Sequence, residues 1–164
     1  MLQICKMLIR SSSVRAPRPA RPDGWDDRLI EAIEAARDRP WKWGRHDCAT
    51  FCFEVARAML AGPTAWDAMR GRHGTAWAAA RIIRRAGSLA ALADMGAPRI
   101  SPRCAMRGDI AAIAVDDQGA PDPAGRAVAL GVVAGANVMC AARFGLRAVP
   151  LRAAFVAWPV DPMR

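Results

Sequence analysis

Between Asp23 and Asp38, Trp25, Leu29, Ile33 and Ala36 recur at three- and four-residue spacing, which predicts an amphipathic helix. Asp23 can cap it, and Arg39-Pro40 ends it. Cys48, Phe51, Cys52, Val55 and Met59 repeat the pattern, with Asp47 as N-cap and Gly62 as the stop. Thr64-Ala65-Trp66-Asp67 has capping-box spacing, with Asp in place of the usual Glu, and predicts a short helix. Thr75 caps another, carrying Trp77, Ala80, Ile83 and Ala86 up to Gly87, and Ser88 to Met95 adds a turn or two. Past Pro102 the period shortens. Arg107-Gly108-Asp109 reads as a turn into the apolar run Ile110–Val115, and a polar loop then reaches Gly125. Apolar runs follow at 127–134, 138–142, 146–151 and 155–160, punctuated by Gly135, Gly145 and Pro150. Helices first and a meandering antiparallel sheet of about five strands afterwards predict an α+β domain.

A chain of 164 residues with 53% hydrophobic content fits one domain with a real core. No apolar run approaches the roughly 20 residues of a membrane span, so a membrane partner is not expected. Met1 to Ile9 lacks the long apolar core and small-residue cleavage site of a secretory signal. Residues 1–22, with Ser11-Ser12-Ser13 and prolines among arginines, read as a disordered basic arm, and 23–164 as a single domain. The formal charge is +9, but Lys6, Arg10, Arg15, Arg18 and Arg21 stand in the arm with no acid, leaving +4 for the rest. The remaining arginines alternate with acids, as on a solvated surface, and nucleic acid is not expected as a partner. Five scattered cysteines form no disulfide framework. There is no CxxC, and His46 and His73 complete no zinc spacing, so neither metal nor cofactor is expected. Cys52, Cys104 and Cys140 read as small buried residues in a reducing compartment.

Cys48 is the candidate nucleophile. In the first turn of its helix, unpaired backbone N–H groups and the helix dipole favour a thiolate. Such a cysteine needs a base within reach and a group that orients the base. His46 is the nearest candidate base, although a histidine two residues before the helix reads equally as a partly exposed loop residue. His73, in the basic loop Arg70-Gly71-Arg72-His73-Gly74, reads as solvated. Trp41 and Trp43 either wall a substrate groove or pack the start of the helix. No phosphate-binding Gly-rich loop, GxSxG elbow or HExxH pair is present.

The segment Trp43-Gly44-Arg45-His46-Asp47-Cys48-Ala49-Thr50-Phe51 resembles the W-G-x-x-D-C-S-G-F segment of NlpC-type cell-wall endopeptidases, a papain-like branch, with Ala49-Thr50 replacing Ser-Gly. Arg107-Gly108-Asp109-Ile110 is similar to the family's P-G-D-L turn. Ala129-Leu130-Gly131-Val132 is similar to its H-V-G-I strand, so the resemblance puts Ala129 where the catalytic histidine stands. The third polar position falls near Met139-Cys140-Ala141, which holds nothing to orient a base. The order of elements is closest to small phage and prophage domains that share the W-G-x-x-D-C segment, an L-G-V strand and a late Ala-Trp, here Ala157-Trp158. The resemblance implies a papain-like α+β domain with a degenerate, non-catalytic site. It further implies a tail-assembly or adaptor role among other phage tail proteins, in the bacterial cytoplasm during assembly or in the virion. The alternative it implies is a cysteine peptidase or amidase acting on peptidoglycan peptides, with Cys48 as nucleophile and an unusual base.

Overall fold

The computed structural model describes residues 20–67, 73–116, 119–125 and 127–161. Among the described residues, four α-helices come first: α1 (Trp25–Ala36), α2 (Cys48–Leu60), α3 (Ala76–Ala86) and α4 (Leu89–Asp94). A short 3-10 turn at Pro102–Cys104 leads into β1 (Ile110–Val115), β2 (Ala127–Ala134), β3 (Asn137–Ala142) and β4 (Gly145–Pro150). A second 3-10 turn precedes β5 (Ala154–Trp158). The sheet is antiparallel throughout, in the order β4-β3-β2-β1-β5. The expected α+β architecture of helices followed by a five-stranded antiparallel sheet is present.

The helical period places α2 at the centre of the core. Phe51, Cys52, Val55 and Met59 are fully buried, and the helix packs against α1 on one side and β2 on the other. Burying a side chain the size of Phe51 contributes roughly 1.5–3 kcal/mol. Helices and sheet share one apolar cluster, which includes Leu130, Val132 and Trp158. A second cluster, with Ile113, Val133, Val138 and Val149, covers the opposite sheet face. β1 is apolar at every position, as suits a strand buried on both faces. One feature of the register matters for the site. β2 pairs with β3 only over Gly131–Ala134, so Ala127 to Leu130, in the middle strand of the sheet, have no β3 partner. The sheet is notched there.

Several local expectations are corrected. α1 begins at Trp25 after Gly24 in the left-handed region, without a side-chain cap from Asp23. α2 ends on Ala61 at φ 51°, one residue before the expected Gly62. In the segment expected to open a helix at Thr64, Asp67 Oδ2 accepts from the Thr64 backbone N–H at 2.8 Å, and the continuation beyond Asp67 lies outside the described residues. Trp77 is 66% exposed rather than packed inward, resting under the Arg81 guanidinium, and Cys104 is exposed rather than buried.

The arm boundary also moves. Residues 1–19 lie outside the described residues, but Arg21 is built into the domain. Its Nη2 donates to Asp109 Oδ1 at 2.7 Å, its Nε to the Val160 carbonyl at 3.0 Å, and it also donates to the Arg107 carbonyl. Asp109, expected as a turn residue after Gly108 (φ 84°), is fully buried and also accepts from the Met106 and Val160 backbone N–H groups. This ion pair clasps the start of the domain, the first strand and the chain's last described segment together.

Candidate functional site at the start of the cysteine helix

The chain reaches α2 through a tight loop in which Lys42 and His46 exchange backbone hydrogen bonds of 2.9 and 2.7 Å. The loop turns at Gly44, whose φ is 69°. A Cβ there would stand 1.7 Å from the His73 carbonyl oxygen. Only glycine permits both the left-handed turn and that approach, so Gly44 is what lets the His73 loop dock against the start of α2.

Asp47 caps the helix and gathers the site. Its Oδ1 accepts from the Thr50 backbone N–H at 2.9 Å and from Thr50 Oγ1 at 2.8 Å. Its Oδ2 accepts from the Gly44 N–H at 2.6 Å and from His73 Nε2 at 2.7 Å. Burial alone would raise the pKa of this carboxyl, but these four donors outweigh it and hold Asp47 below the usual carboxylate range. His73, expected to be solvated, is therefore a member of the site: its side chain is 13% exposed and held by Asp47. With Nε2 engaged as a donor, a neutral ring presents Nδ1 as its remaining acceptor.

The half-buried Cys48 thiol is shifted against the direction that the start of a helix favours. Burial pushes its pKa up to about 11, and the neighbouring Asp47 charge adds to the rise. The backbone N–H groups of Leu130, Ala49 and Cys48 itself offset only part of this. A helix dipole is worth about 0.3–1 kcal/mol in exposed settings, less than one pKa unit at 1.36 kcal/mol per unit. Desolvation wins. Leu130, whose N–H is among these groups, is a β2 residue with no β3 partner. The buried Cys52 and Cys140 stand near enough to Cys48 for their charges to interact, and burial raises both thiols, Cys140 to about 12. The described cysteines are all free thiols, and no group of three or more metal-ligating side chains occurs among the described residues.

A cavity of about 540 Å³ opens beside Cys48. Asp47, His73 and the edge-to-face pair Trp41–Trp43, with ring centroids 5.3 Å apart, line one part of it. Trp41 and Trp43 thus wall a groove while also packing on each other. The helices contribute Ile82, Ile83, Leu89 and Leu92, and the sheet contributes Val115, Val128 and Val149. Ala129 lines the cavity too, but it packs with the apolar cluster on the sheet face away from α2.

His46, the candidate base, is not a partner of Cys48. It is 2% exposed, its ring meets Phe51 edge-on at 5.9 Å, and neither ring nitrogen has a hydrogen-bond partner among the described residues. Burial lowers its pKa, reinforced by Arg39 and opposed by Glu54 and Asp47. It is a neutral packing residue beneath the loop, not the partly exposed histidine expected there. Among the described residues, no imidazole or carboxylate is hydrogen-bonded to the Cys48 sulfur.

These features define an α+β domain with a helix-capping carboxylate, a half-buried thiol that lines a predominantly apolar cavity, and a notch in the sheet beside it. The chain belongs to a family of domains of unknown function, DUF6950, whose model matches residues 20–160. No curated protein and no solved structure matches it. Among the described residues, no helix is long and apolar enough to cross a membrane.

Proposed function

We propose that this is a non-catalytic binding domain on a papain-like, NlpC-type scaffold, serving as an assembly or adaptor component of a phage or prophage tail. The observation that carries the non-catalytic reading is the surroundings of Cys48: among the described residues no imidazole or carboxylate is hydrogen-bonded to its sulfur, and desolvation pushes its pKa up to about 11. General-base help is typically worth 10²–10⁴-fold, and a thiol with so high a pKa is almost wholly protonated at neutral pH. The scaffold assignment is supported by the Trp43-Gly44 to Phe51 segment and the helix-then-sheet order. The tail context rests on the sequence resemblance alone.

A second reading is favoured by one contact. Asp47 orients His73 on the rim of the cavity that holds Cys48, and a loop movement that brought the His73 ring to the sulfur would turn this pair into the base and orienter of a cysteine hydrolase acting on peptidoglycan peptides. Incubating muropeptides with the wild type, Cys48→Ala and His73→Ala, and reading the products by mass spectrometry, separates the two. The binding domain yields no cleavage product in any of the three. Cleavage by the wild type that both substitutions abolish would establish the hydrolase.

A further inference from the structure

The α3–α4 pair is unusual in what it fails to bury. α3 carries a clear apolar stripe, yet Ala79 is its only fully buried residue. Ile82, Ile83 and Ala86 remain half-buried, with Ile82 and Ile83 turned to the cavity. The sheet offers half-buried Val128 and Ala129 at the notch. The cavity is within the roughly 300–1,000 Å³ range of small-molecule sites, and its walls are mainly aliphatic. Its charges are one-sided. Asp47, the acidic lining residue, is already covered by four donors. Arg85 from α3 and Arg147 from β4 line the same cavity, both exposed, and Arg147 Nη1 donates to the Gly119 backbone carbonyl at 3.2 Å, with no carboxylate paired to either arginine among the described residues.

An apolar interior whose wall arginines have no carboxylate partner among the described residues is complementary to an amphiphilic anion. We propose that the cavity binds a long-chain aliphatic carboxylate, its chain between α3–α4 and the notched sheet and its carboxylate paired with Arg85 and Arg147. This deepens the binding-domain reading and rests on it, since it fills the space beside Cys48 with a ligand rather than a scissile peptide. The interior provides few polar partners for a peptide backbone, which favours an alkyl chain over a protein segment as the occupant.

Isothermal titration of the full chain with dodecanoate below its micelle concentration tests this. The expected result is one site per chain. Affinity should rise about fourfold for each methylene from octanoate to dodecanoate, the equivalent of about 0.8 kcal/mol per buried methylene. Dodecyltrimethylammonium should bind at least tenfold more weakly. Arg85→Glu with Arg147→Glu, both on the surface, should weaken dodecanoate at least tenfold while leaving the circular dichroism spectrum unchanged. Ile83→Glu should weaken every chain length. Absence of dodecanoate binding at millimolar concentration overturns the proposal. So does equal affinity for the cationic amphiphile, or tighter binding of an apolar peptide than of dodecanoate. In those cases an unreactive Cys48 leaves the binding-domain reading standing. A dodecanoyl thioester formed on Cys48 from an activated ester at neutral pH would instead remove that reading.

Discussion

Arg21 and His46 show how differently two buried polar side chains bear on stability. Arg21 and Asp109 are 6% and 0% exposed and bonded 2.7 Å apart. Removing one partner leaves the other buried and uncompensated, which costs about 3–5 kcal/mol. Arg21→Ala should lower stability by about that amount in urea unfolding, and a chain starting at residue 23 should lose as much relative to one starting at residue 20. His46 works the other way. Its folded pKa is depressed, so the unfolded state binds the extra proton as pH falls below the ordinary value of about 6.5. Its contribution is therefore intact above about pH 6.5 and is lost as pH drops toward the lowered folded value. Asp47, whose pKa is also depressed, adds a loss at still lower pH, below the usual carboxylate range. His46→Phe should flatten the stability profile just below pH 6.5 and leave the more acidic loss in place, as followed by thermal melts across pH. An unchanged profile would mean that another group titrates there.

At the scale of elements, the start of α2 is organised by Gly44, Asp47 and His73. Gly44→Ala places a side chain in the left-handed region against the His73 carbonyl, and should cost at least about 2 kcal/mol. Asp47→Ala removes a helix cap and leaves the Thr50 and Gly44 donors unmatched. It should cost about 2–4 kcal/mol, whereas Asp47→Asn, which keeps an acceptor, should cost less. Guanidinium denaturation of the three variants gives the order. The cap was legible in the sequence because Asp before an apolar helical period is a local signal. The partner of the cap was not, since His73 stands 26 positions after Asp47 and nothing in the intervening periodicity states where the loop returns. The burial of His46 is hidden from the sequence for a related reason. Its burial comes from Phe51 and the Lys42 loop folding over it, a tertiary outcome that a histidine before a helix does not announce.

The whole molecule repeats that division. Strand positions could be read because the apolar runs were short and bounded by glycine and proline, and each lies within a residue or two of its observed strand. The notch between β2 and β3 could not, because it depends on register: pairing stops at Gly131 while the apolar run continues back to Ala127. That notch lies beside Cys48, and desolvation of the half-buried thiol sets its state. Alkylation of Cys48 by iodoacetamide against pH measures that state directly, with Cys5, Cys52, Cys104 and Cys140 replaced by Ala or Ser. The rate should still be climbing above the ordinary thiol value of about 8.5, with its inflection displaced toward about 11. A rate plateau persisting below pH 6, as a Cys–His ion pair with a pKa of about 3–4 gives, would contradict it.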